Sequence, residues 1–177
     1  NWTPKGSFLR KKIDYYGIAK VNQRGRIWRL VHDGYTPSPK PKMLDVPAKN
    51  LVNYLDHPNG WWRDNAQKQI VILGDKSVVP TLKQMATGQK NVTALGKLHA
   101  LWTLEGLNAI DKALIYTTLK DTDPQIRRAA IWISERYLKQ NDQAMIATVG
   151  KLINDESFDV RTQILLSLGS NKNELAK

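Results

Sequence analysis

The sequence predicts an all-α fold: a right-handed α-solenoid of short helical repeats, with a small N-terminal extension of one helix and one strand. Three observations predict it. Residues 61–66, 95–100, 125–130 and 159–164 align with one another, and their basic members Arg63, Lys97, Arg127 and Arg161 are separated by 34, 30 and 34 residues. Self-similarity at such a period is the mark of stacked supersecondary units. Each aligned stretch runs on into apolar residues bounded by helix start and stop signals. Ahead of the repeats, Pro37, Pro39 and Pro41 fall within five residues, which no helix or central strand tolerates.

The elements follow in chain order. Residues 7–16 place Phe8, Ile13 and Tyr16 near one helical face and most charges elsewhere, so a short amphipathic helix is expected, stopped by Gly17. Asn22-Gln23-Arg24-Gly25 is a turn signal, and residues 26–32 are rich in β-favouring types and read as a strand ending at Asp33-Gly34. One strand alone leaves its backbone groups unpaired, so residues 1–35 read as the remnant of an upstream β domain. Residues 36–47 read as a proline-rich linker. Residues 48–177 form the repeat domain, of about four repeats, opening with 48–55 as the second helix of an incomplete one.

Within each repeat the logic is local. Turns such as Asp56-His57-Pro58-Asn59-Gly60, Asp121-Thr122-Asp123-Pro124 and Asn154-Asp155-Glu156-Ser157 supply caps, and Pro124 suits a first helical turn. Three positions after each basic residue stand Ala66, Ala100, Ala130 and Ile164, which can pack against a neighbouring helix. Gly74, Gly106 and Gly169 are expected to end first helices, with Asn141 and Asp142 doing so in the third repeat. Second helices are expected around 78–85, 109–119 and 145–153, with Asp111 and Asp142 where a helix dipole favours negative charge.

Charge and composition bound the function. The chain has 27 Lys and Arg against 16 Asp and Glu, a formal +11, and no cysteine. Disulfides, thiolate metal sites, a cysteine nucleophile and covalent haem attachment are therefore excluded within these 177 residues. Residues 1–49 carry eleven bases and three acids, and residues 50–177 sixteen and thirteen, so most of the excess precedes the repeats. No uncharged apolar run approaches the roughly 18 residues of a membrane span. The chain opens on Asn, not Met, and reads as a processed chain or an excised piece. His32, His57 and His99 lack metal-ligand spacing, and no phosphate-binding glycine loop or Ser-His-Asp arrangement is present. No catalytic, cofactor-binding or metal residue is assigned.

The pattern Asp121-x-x-Pro124-x-Ile126-Arg127-x-x-Ala130 resembles the HEAT-repeat family, in the short variety seen in phycobilin-lyase-type repeats, since 30–34 residues fall below the ~40–47 typical of the family. The resemblance implies a structural role for Arg63, Lys97, Asp121, Pro124, Arg127 and Arg161, the base bonding to the Asp of the adjoining turn. Residues 25–34, with 8–13 ahead of them, resemble the last strand of the catalytic β-propeller in bacterial membrane-bound, glucose/sorbosone-dehydrogenase-like proteins. Residues 57–67 and 96–107 are similar to the HEAT region that follows that propeller. The resemblance implies an exported, periplasmic or cell-envelope parent. In it a propeller oxidises sugar, a C-terminal cytochrome carries Cys-x-x-Cys-His, and haem c or quinone would lie outside this chain.

The expected function is thus a non-catalytic interaction and spacer module between an upstream propeller and a downstream cytochrome-like domain. A nucleic-acid-binding HEAT module is the alternative suggested by the net charge, and a chromophore lyase a third. The alternative is weakened because backbone binding needs Lys and Arg along one continuous surface. Partner-binding candidates are Trp61, Trp62, Arg26 and Arg29. Trp61 and Trp62 are adjacent and cannot both face inward on one helix.

Overall fold

The structure is a computed structural model and describes residues 3–21, 30–36, 39 and 41–169. The chain divides into two compact units, Asn1–Pro39 and Lys40–Lys177. The division falls inside the proline-rich stretch.

In the first unit, helix α1 spans Phe8–Tyr15. The Ser7 hydroxyl caps it by accepting from the Arg10 amide, and Gly17 takes up a left-handed conformation beyond its end. An Arg10–Asp14 pair one turn apart and Lys12 over the Phe8 ring, 5.6 Å from its centroid, line the helix surface. A 3-10 helix, Ile18–Val21, follows. Residues 22–29, which hold most of the expected strand together with Arg26 and Arg29, lie outside the described residues. Residues 30–32 belong to no regular element, and no strand occurs among the described residues.

In the second unit, all regular structure among the described residues is helical. Helix α2, Ala48–Leu51, continues as the 3-10 helix Val52–Asp56, where the sequence suggested one uninterrupted helix. Then come α3 (Gly60–Leu73), α4 (Val79–Ala86), α5 (Ala94–Gly106), α6 (Lys112–Thr118), α7 (Pro124–Lys139), α8 (Gln143–Gly150) and α9 (Phe158–Gly169). The longer helices form a row in chain order: α3 packs on α5, α5 on α7, and α7 on α9. The shorter ones fill in against it, α4 on α5, α6 on α7, and α8 on α7 and α9. Ala66, Ala100, Ala130 and Ile164 are fully buried along this row. Small side chains at three of these four positions let the helix backbones approach closely.

Caps account for the helix boundaries. The side chains of Asn59, Thr93 and Asp123 accept backbone N–H bonds at the starts of α3, α5 and α7. Asp111 and Asp142 do the same for α6 and α8. Each such cap satisfies one of the orphan amides of a first helical turn. Gly74 ends α3 at φ 63°. Gly106 behaves differently from its expected role. It is the last residue of α5, and the reversal is made by Asn108 at φ 50°. A β-carbon at Gly106 would lie 2.6 Å from Val71 Cγ2, so the missing side chain serves helix approach and not the turn.

The linker also ends sooner than its composition suggests. Met43 is buried in the core of the second unit and Val46 packs against that core. Prolines forbid a helix here, but they leave extended chain free to lay an apolar side chain on a neighbouring surface. None of the described helices is long and apolar enough to cross a membrane.

Candidate functional site

Two sets of side chains stand out on the helical row: a buried ladder that ties repeat to repeat, and an apolar strip on the outer face of the long helices.

The ladder is built on the aligned basic residues. Arg127 lies in the first turn of α7, where its Nη1 donates to the carbonyls of Asp121 and Thr122 at 2.9 and 3.0 Å. Its Nε and Nη2 donate to both carboxylate oxygens of Asp155 in the next turn, at 2.8 and 2.7 Å. The two side chains are only 9% and 6% exposed. This forked, charge-assisted geometry is among the stronger polar contacts available to a protein. The Arg127 guanidinium holds the Asp155 carboxyl below the usual carboxylate range, and Asp155 raises Arg127 in turn. Lys97 makes the equivalent contact one repeat earlier, reaching Asp121 at 2.9 Å.

The carbonyl half of this arrangement recurs. Arg63 donates to the carbonyls of His57 and Pro58, at 2.6 and 3.0 Å. Arg161 donates to those of Asp155 and Glu156, at 2.5 and 3.1 Å. The three arginines thus each secure the turn that leads into their own helix. The aspartates close the same turns: Asp121 accepts from the Asp123 amide and Asp155 from the Ser157 amide, both at 2.9 Å. In the first turn His57 Nδ1 takes that place, accepting from the Asn59 amide at 3.1 Å. Asp56 instead reaches forward to the Thr93 amide and hydroxyl. Pro124, at the start of α7, pre-sets the backbone angle of a helical first turn.

A second ladder, on the short helices, was not anticipated. Lys83 of α4 pairs with Asp111, and Lys112 of α6 pairs with Asp142. Both acids are also N-caps, so each joins two repeats while starting a helix, and both carboxyls are held below their ordinary range by the lysine beside them. The spacing of 28 and 30 residues, close to the repeat period, was the available signal in the sequence.

The aromatic residues separate by face. Trp62 is turned inward, stacked on the His57 ring at 4.3 Å and edge-on to Tyr54 at 5.3 Å. Trp61 is 57% exposed. Further along the row, Trp102 meets Trp132 edge to face, with ring centroids 5.5 Å apart. An open hollow of about 490 Å³ lies on one side of Trp102, between α3 and α5, floored by Val71 and Ile72. A smaller one of about 120 Å³ lies on the other side, between α5 and α7, bounded by Leu98, Arg128 and Trp132. Ile72, Trp132 and Leu166 are exposed, so the strip runs across the row. Trp102 is half-buried against the core, and Trp132, packed on it, is 49% exposed.

His99 sits at the edge of this strip, with Nδ1 2.8 Å from Gln67 Oε1 and Nε2 3.9 Å from Asp64. Burial, with the Arg63 charge adding to it and Asp64 opposing, lowers its pKa below the ordinary histidine value. A depressed pKa means that the folded state binds the proton less well than the unfolded chain. The associated stability is therefore present above about pH 6.5 and is lost as pH falls through the folded pKa. His99→Gln is expected to flatten the melting temperature between pH 7 and the folded pKa. An unchanged pH profile in the variant would show that His99 titrates as it does in the unfolded chain.

Among the described residues no group of three or more His, Cys, Asp or Glu is arranged to hold a metal ion. Compared with models of protein families, with curated proteins and with solved structures, the chain finds no match.

Proposed function

We propose that this chain is a non-catalytic, right-handed solenoid of short HEAT-like repeats, acting as a protein-interaction and spacer module. We place it in an exported, dehydrogenase-like parent, where it would hold a sugar-oxidising propeller and a cytochrome-like domain in fixed relation. The observation that supports an interaction role is the exposed Trp- and aliphatic-lined strip carried by helices that are cross-tied from repeat to repeat. Aromatic side chains on a pre-ordered surface supply large contact area at low entropic cost. The assignment to a dehydrogenase-like parent rests on the sequence resemblance alone.

The alternative, a nucleic-acid-binding repeat module, is disfavoured by how the bases are used. Lys83, Lys97, Lys112 and Arg127 are each paired with an aspartate of the following repeat. Charges neutralised within the protein do not release counterions from a phosphate backbone.

The test is direct binding between the full chain and a separately produced propeller domain of a membrane-bound sugar dehydrogenase. Trp132→Ala is expected to weaken that binding by about tenfold or more, as for a hot-spot aromatic, with the melting temperature lowered only by the loss of its edge-to-face contact with Trp102. Salt-sensitive binding to duplex DNA in place of the propeller would support the alternative. Sugar oxidation by the purified chain with an added quinone acceptor would refute a non-catalytic role.

A further inference from the structure

The ladder runs in one direction, and its two ends differ. Lys97 pairs with Asp121 of the next repeat, and Arg127 pairs with Asp155 of the next. At the N-terminal end the corresponding turn position carries His57, which closes its turn through Nδ1. No carboxylate is presented there. At the other end Arg161 is seated as Arg127 is, with Nη1 on the two carbonyls of its own turn. Among the described residues it forms no ion pair. Its guanidinium is thus seated on its own turn, over the Phe158 ring at 5.9 Å from the centroid, with no aspartate of a further repeat against it.

The apolar residues say the same thing independently. Four positions after the rung base, Leu101 in α5 and Ile131 in α7 are completely buried. At the same register in α9, Leu165 is 66% exposed. Helix α9 therefore carries a base seated as Arg127 is and, four residues on, leaves exposed the aliphatic position that is buried in α5 and α7.

We infer that the Arg161–Leu165 face of α9 is a docking surface for a further helical repeat whose leading turn presents an aspartate to Arg161. The occupant is specified by continuity with the interfaces between α5, α7 and α9, and by charge. A second copy of this chain docking by its N-terminal turn is a poor fit, because that turn offers His57 where the rung needs a carboxylate. The inference depends on the repeat register in the structure and not on the parent enzyme proposed above, and its test reads neither propeller binding nor sugar oxidation.

The test extends the full chain at Lys177 with a second copy of its own residues 140–169, which supplies a short helix, an acidic turn and a long helix. Hydrogen exchange of the α9 amides, 160–168, is then compared with that of the unextended chain. The extension is expected to slow exchange by about tenfold or more, as burial and a new rung raise the local opening energy. Replacing the appended aspartate by asparagine, or making Arg161→Gln, should each remove most of that protection, and the two together little more. Exchange in α9 that the extension leaves unchanged would overturn the proposal. So would equal protection with the appended turn rewritten to the first turn, Asp56-His57-Pro58-Asn59. Glu174→Gln in the unextended chain is the remaining control. Faster α9 exchange in it would assign the site to the chain's own C-terminal segment and overturn the proposal, and unchanged exchange supports it.

Discussion

Arg127→Ala is expected to lower the unfolding free energy by about 3–5 kcal/mol, the cost of leaving one member of a buried ion pair without its partner. The change strands the Asp155 carboxylate, whose side chain is 6% exposed. It also releases the carbonyls of Asp121 and Thr122. Denaturant titration of the full chain measures the loss directly. Asp155→Ala should cost a comparable amount, while the double variant Arg127→Met with Asp155→Leu should recover much of it, because an apolar pair leaves no buried charge to satisfy. Losses that simply add in the double variant would show that the two residues do not act as a unit.

The same pair sets an acid limit. The Asp155 carboxyl is held below its ordinary value, chiefly by its hydrogen bonds from Arg127. A depressed carboxylate pKa contributes stability that is fully present above the unfolded value of about 3.9 and is lost as pH falls through the folded one. The denaturation midpoint of the wild-type chain should therefore drop on acidification below about pH 4. Asp155→Asn should show a smaller drop in that window, from a lower starting stability.

Ile131→Ala is expected to cost about 2–5 kcal/mol, the lost transfer energy of the side chain plus the cavity it leaves. Ile131 is completely buried in α7, within the continuous core of the helical unit. Leu165→Ala, at the same register of the next long helix, should cost about 0.5 kcal/mol or less, as is usual for exposed positions. The contrast is a sharp one. Two aliphatic residues at equivalent places in the repeat differ in energy only because one has a neighbour packed on it. Equal losses at the two sites would mean that α9 is covered in the free chain.

Much of the helical organisation was legible in the sequence because its determinants are local. Caps such as Asp123 and Asp142, the left-handed Gly74 and Asn141, and the proline at the start of α7 act within a few residues of themselves. The periodic spacing of Arg63, Lys97, Arg127 and Arg161 marked the repeats for the same reason. Gly106 shows the limit of such reading. Its position suggested a stop signal, but the residue is needed for contact with Val71, thirty-five positions away in the chain. Met43 is a second case, an apolar residue in a proline-rich stretch that finds the core because of where the chain lands.

The interaction surface was legible in part. Adjacent Trp61 and Trp62 had to face different ways on a helix with 3.6 residues per turn. Which of them faces outward was set by the His57 and Tyr54 rings that receive Trp62.

By itself the sequence determined that residues 48–169 are helical, that their helices recur, and where most of them begin and end. These are consequences of backbone propensity, capping and periodic burial, which need only neighbours in the chain. The tertiary structure alone decided that Arg127 pairs with Asp155, that Lys83 and Lys112 form a second ladder, and that Leu165 is left exposed on α9. Those contacts join residues about one repeat apart, and their geometry exists only once the helices have stacked in register.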